Sequence, residues 1–264
     1  MRRIVFFILG LLFLIAAIFG VRVLHDRSVR TQAIAEQDRV VRPPVQPLSA
    51  GVHVSSQDVS SMFASSVQAS STRASEINMD VPFYVQAPLV QWDAVHEEAC
   101  EEASILMVLS YFGRQTFTTP EEVDAALLAL VDRAAALGFP VDLTAEQVRT
   151  VILDAMPSLD VSLLNDPTVE QLQNALRDGS LIIVPAAGRS LGNPYFQTPG
   201  PLYHMLVLRG FTRDGYVITN DPGTRRGEAY VYRWDKLLDA MHDWNGGSVD
   251  QGKKVVISIQ HPSP

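Results

Sequence analysis

Gln86, Cys100, His204 and Asp221 stand along the chain in an order that suits thiol-dependent acyl transfer. Such chemistry needs an oxyanion donor, a nucleophile, a base and a carboxylate that orients the base. Cys100 is the sole cysteine of 264 residues and sits in HEEACEEAS. The reactive form of cysteine is the thiolate, and the N-terminus of a helix stabilises an anion. Residues 100–112 predict a helix ended by Gly113, with Cys100, Ala103, Met107 and Tyr111 on one face. Against this, free cysteine is among the residue types most often buried for packing alone. Glu97 and Glu98 suit a helix start but oppose a thiolate. The nucleophilic reading therefore requires a nearby imidazolium.

Six histidines are available. His25 and His53 lie in the juxtamembrane and tether regions, His261 is three residues from the end, and His242 closes the amphipathic stretch DKLLDAMH. His96 precedes Cys100 by one helical turn, but HEEAC lacks the second histidine of HExxH, and two ligands do not make a zinc site. No metal is expected. His204 is a polar residue inside the apolar run YHMLVLRGF, which predicts a strand. A turn through Arg213-Asp214-Gly215 leads to a returning strand, 216–220. With 211 opposite 216, Asp221 falls opposite Leu206, on the same face as His204 and diagonal to it. A carboxylate there can hold the imidazole, although Asp221 also opens Asp-Pro-Gly, a common turn. Asn220 is expected to face the other way. Gln86, in the loop leading to the predicted helix, can place an amide beside the helix-start N–H groups.

The elements that must position these residues divide the chain. Arg2 and Arg3 precede an apolar run, Ile4 to Val21, long enough to span a bilayer. It exceeds a signal-peptide core, and no Ala-x-Ala site closes it, so residues 1–24 are read as a retained anchor, a cleaved signal being the alternative. The bulk of the chain is then placed outside the cytoplasm. Residues 25–76, rich in proline and serine, read as a tether. Residues 77–264 form the folded part. A short extended entry strand is expected around 79–88. Capping boxes at Thr119, Thr144 and Thr168 predict three further helices, stopping at Gly138, before Pro157 and at Gly179. Strands follow at 181–187, 203–211, 216–220, 229–234 and 254–259, with a short helix at 235–242. Helices first and antiparallel strands later predict an α+β fold. Residues 1–30 carry five arginines and one aspartate, +4 within a net charge of −8, which leaves −12 for the rest. That balance argues against a nucleic-acid partner.

VPFYVQAP, Trp92, Cys100 with ASILMVLSYFG, His204 with MLVL, and Asn220-Asp221-Pro222 together resemble the C39-like cysteine peptidases. That family is related to the bacteriocin-processing peptidases and shares the papain-like fold. The resemblance spans Met79 to Ile259. It implies Cys100 as nucleophile, His204 as general base and later acid, Asp221 as orienting carboxylate and Gln86 as oxyanion donor, with no cofactor. Many relatives carry glycine where Glu101 stands, so its side chain is expected to narrow the cleft or repel acidic substrates. The processing enzymes are fused to transporters, and this sequence offers no nucleotide-binding motif, so leader trimming is not implied. The expectation is a membrane-anchored, extracytoplasmic cysteine peptidase acting on a peptide or protein. The alternatives are a non-catalytic C39-like module that binds peptides in the same cleft, a cell-wall peptide hydrolase, and a membrane-attached spacer.

Overall fold

The computed structural model describes residues 76–262. The expected anchor over 1–24 and nearly all of the tether lie outside the described residues. Among the described residues no helix is long and apolar enough to cross a membrane.

Strand β1 (Ile77–Asn78) is followed by an irregular stretch to the first helix, α1 (Cys100–Gly113). The expected entry strand is thus only two residues long and lies before Met79. Next come α2 (Pro120–Ala136), α3 (Ala145–Ala155), β2 (Asp160–Asn165) and α4 (Val169–Arg177). The chain then forms β3 (Leu181–Ala187), a single turn α5 (Gly188–Leu191), β4 (Tyr203–Phe211), β5 (Tyr216–Asn220), β6 (Tyr230–Arg233), α6 (Trp234–Ala240) and β7 (Val255–Gln260).

All three predicted capping boxes form. Thr119, Thr144 and Thr168 each accept from the backbone N–H three residues on, and Glu122, Gln147 and Gln171 reach back to the cap. Each box satisfies two backbone donors that a helix start otherwise leaves open. Helix α1 has no such device: its cap is Ala99, and its end is set by Arg114 in the left-handed region rather than by Gly113. Gly113 instead leaves room for Met156, whose methyl would lie 3.2 Å from an added Cβ.

The strands form one antiparallel sheet in the order β2-β7-β3-β4-β5-β6, with β1 added to β4. One face packs against α1, α2 and α3 through Ile183, Met205, Val207 and Ile257. The other packs against α4 and α6 through Ile182, Val184, Leu206, Leu208 and Val256. Strands β3 and β4 are consequently buried at every position, which explains why both read as unbroken apolar runs. Helix α1 is buried nearly all round, Glu101 and Glu102 included, so it is a central helix rather than the one-faced element its apolar spacing predicts.

The β4–β5 hairpin is not uniform. Phe211 pairs with Val217 at the tip, while Leu208 pairs with Thr219 and Val207 with Asn220 nearer its base. The extra residue is Arg209, a bulge whose guanidinium reaches Val81 O and Asn220 Oδ1. The expected 211–216 pairing is therefore absent. Below the bulge the register is the predicted one.

Candidate active site

Asp221 follows the last residue of β5, the strand beside β4. His204 Nε2 is 2.8 Å from Asp221 Oδ1, and both side chains are at most 1% exposed. The Gly223 N–H donates to the same oxygen at 3.1 Å. The other oxygen accepts from Tyr232 Oη at 2.7 Å and from Asn193 Nδ2 at 3.0 Å. Burial alone would raise the Asp221 carboxyl. The charge of His204, with hydrogen bonds from His204, Tyr232 and Asn193, outweighs it and holds the group below the ordinary carboxylate value. Asn193, Tyr232 and Gly223 have no mark in the sequence that distinguishes them from loop, strand and turn residues. Only the alternation of YVYRW hinted that Tyr232 faces inward.

With Nε2 engaged, Nδ1 of His204 is left for a second partner. The ring is covered by Phe196, edge-on at 5.1 Å between centroids, from the 192–202 loop. Gly223 closes the other approach: a Cβ there would come within 2.8 Å of His204 Cε1. Asn220 plays no part in holding His204. Its amide donates to Val81 O and Pro82 O, and its oxygen accepts from Arg209 Nη1 and Ala229 N.

Cys100 is the first residue of α1 and is 5% exposed. Helix α1 packs against β4, and the backbone N–H of Met205, one residue past His204, acts to lower the Cys100 thiol. Successive strand residues point to opposite faces. Met205 therefore joins the cluster of Cys100, while His204 shares its face with Leu206 and Leu208. The thiol proton is donated to Glu101 Oε2 at 2.9 Å and not to His204. Burial, then the charge of Glu101, push the Cys100 thiol well above its ordinary value. The opposing charges come from Glu101 and Glu102, not from Glu97 and Glu98 as the sequence suggests. Glu101 does not line a cleft either. It is 1% exposed and its other oxygen accepts the Leu143 N–H at 3.1 Å.

Gln86 lies under the loop leading to Cys100. Its amide nitrogen donates to His96 O at 2.8 Å and Glu97 O at 3.0 Å, which occupies both N–H groups, and its oxygen is buried without a partner. Its backbone N–H donates to Pro222 O, which ties this loop to the turn after Asp221. His96 does not pair with Cys100. Its ring nitrogens face Asp93 Oδ1 at 2.8 Å and Asp124 Oδ1 at 2.9 Å, linking the loop to α2. Among the described residues no group of His, Cys, Asp and Glu is arranged to hold a metal. A hollow of about 860 Å³ opens at the far end of α1, lined by Ser110, Arg114, Asp80 and His261, well away from these residues.

The model of the Peptidase_C39 like family matches residues 78–246. No curated protein matches. A solved structure of a candidate C39-like peptidase from Bacillus anthracis is similar at 15% identity and a TM-score of 0.48, covering 72% of this chain and 100% of its own. The family match runs over more than half of the chain and takes in Gln86, Cys100, His204 and Asp221, so the chain belongs to the Peptidase_C39-like family.

Proposed function

We propose that the chain is a cysteine peptidase that hydrolyses peptide or amide bonds through an acyl-enzyme on Cys100, with the papain-like arrangement of parts. The observation that carries this reading is the buried contact of His204 with Asp221, His204 lying on β4, the strand against which the helix of Cys100 packs. A histidine that served packing alone would not need a carboxylate held by three further donors. The reaction requires the thiol to leave Glu101 and come within reach of His204 Nδ1, to which it gives its proton. The sulfur attacks the substrate carbonyl, and His204 returns the proton to the leaving amine. Water, deprotonated by His204, then releases the acid. Asp221 holds the ring and supports its charged form. Gln86 serves the oxyanion once one of its carbonyl partners is released. Since Cys100 and His204 are almost wholly covered, substrate entry requires the 192–202 loop with Phe196 to move.

The substrate is a peptide or protein, and the N-terminal run Ile4–Val21 anchors the chain with this domain on the extracytoplasmic side. The first statement rests on the family, and the second on the sequence alone. The second reading, a peptide-binding module without turnover, is favoured by the bond from the thiol to Glu101.

Alkylation of the full chain against pH separates the two, because Cys100 is the only thiol. For the enzyme, His204→Ala changes the pH dependence of alkylation, and mixed peptides are cleaved by the wild type but not by Cys100→Ala. An alkylation profile indifferent to His204, with no cleavage of peptides or purified cell wall, leaves the binding module.

A further inference from the structure

Glu101 is buried, carries one oxygen on the nucleophile and the other on a backbone N–H, and has no role in the scheme above. Its bond to Leu143 N fixes the side chain to the loop between α2 and α3, so the contact with sulfur is held from both ends. A carboxyl group and a thiol in contact within a dry interior cannot both lose a proton at modest cost, because two like charges would be buried together. Taking Cys100 as the nucleophile of the proposed peptidase, we propose that Glu101 is a second partner of the sulfur. The two side chains share one proton across the 2.9 Å contact, and the position of that proton decides whether Cys100 is available as thiolate.

The exchange balances without any other reactant. With the proton on sulfur, the Glu101 carboxylate accepts the S–H and the nucleophile is held back. With the proton on Glu101, its O–H donates to the thiolate, which the Met205 N–H also stabilises. The surroundings oppose a second buried charge, since burial and a neighbouring glutamate push the Cys100 thiol up as well. Burial and the charge of Glu102 both push the Glu101 carboxyl well above its ordinary value. The groups facing it are Cys100 and Glu102 on α1 and Tyr203 on β4. Tyr203 Oη donates to Leu143 O at 2.8 Å and lies 3.2 Å from Asp243 Oδ1, so Asp243, after α6, is the next charge out. None of these is a cation. Among the described residues Glu101 therefore has no positive partner that would keep it ionised.

Glu101→Gln tests this directly. The amide can keep both contacts, accepting from Leu143 N and donating to sulfur, but never carries charge. Thiolate absorbance and alkylation of the full chain are followed against pH. The expected result is a downward shift of the thiolate midpoint by a unit or more, with alkylation at pH 7 at least tenfold faster. A midpoint that stays where the wild type has it overturns the proposal. If Glu101→Gln does not fold, the wild type gives the answer through the infrared band of a protonated buried carboxyl. That band must shift when Cys100 is blocked by methylthiolation, and an unmoved band overturns the shared proton. His204→Ala run alongside separates the two ideas. A shift with Glu101→Gln but none with His204→Ala removes the peptidase mechanism and leaves the pair standing, and the reverse removes the pair and leaves the mechanism.

Discussion

At Asp221, the four groups bonded to it are the three side chains of His204, Tyr232 and Asn193 and the backbone N–H of Gly223. Asp221→Asn keeps the shape but cannot support an imidazolium, and peptidase turnover is expected to fall on the order of 10³–10⁴-fold, as when a buried orienting aspartate is lost from a triad. Tyr232→Phe removes one buried bond and is expected to cost about 1–2 kcal/mol in denaturant unfolding, with a smaller loss of turnover. The pH dependence has a definite sign. The folded value of Asp221 lies below its unfolded one. Its contribution is therefore present above roughly pH 4 and is lost as the pH falls below it, so the Asp221→Asn protein should show a shallower acid destabilisation than the wild type. Gly223→Ala is a different kind of probe. Its Cβ would sit 2.8 Å from His204 Cε1 and 3.0 Å from Phe196 Cε1, so the ring must shift. Turnover is expected to drop at least tenfold while the unfolding temperature changes little, a pattern seen by pairing kinetics with calorimetry.

Among the elements, local signals were legible and non-local ones were not. The capping boxes at Thr119, Thr144 and Thr168 read correctly because every atom of a box lies within four residues. Strands β3 and β4 were legible because burial on both faces leaves them apolar throughout. Strand β2 was missed: DVSLLN buries Val161 alone and lies at the sheet edge beside β7, so neither alternation nor an apolar run announces it. The burial of α1 on all sides was hidden by its own letters, since Glu101 and Glu102 look like a solvated face. His204 and Asp221 were placed together from strand alternation. What escaped was the bulge at Arg209, which costs the tip of the hairpin one residue of register and leaves the base as predicted. Asn193 escaped too, because nothing in a loop sequence says which side chain turns inward. The β1–β4 contact is sensitive to a single atom. A Cβ at Gly210 would lie 1.9 Å from Ile77 O. Gly210→Ala should therefore release β1, read as faster proteolytic cleavage before Met79.

Across the whole molecule, the cluster of acids at the start of α1 shapes stability against pH. Burial raises the Glu102 carboxyl from its ordinary 4.5 to about 7. Because the folded value is the higher one, the contribution of Glu102 is most favourable below about pH 4.5 and is lost as the pH rises through about 7. The difference corresponds to about 3 kcal/mol at 1.36 kcal/mol per unit. Glu102→Gln is expected to stabilise the protein by up to that amount at pH 8 and by much less at pH 5, measured as denaturant midpoints at the two values. Domain and strand order also fix how the molecule bears load. The chain enters through β1, which holds β4 by the pairs Ile77–Phe211 and Asn78–Gly210 and by Met79 N–H to Arg209 O. His204 lies at the opposite end of β4, paired to Ala186 of β3. Tension arriving from the N-terminal side is thus taken up first by a short clasp at the far end of the strand. The clasp acts as a mechanical fuse: it peels while the six-stranded body of the sheet, and the histidine within it, keeps its pairing.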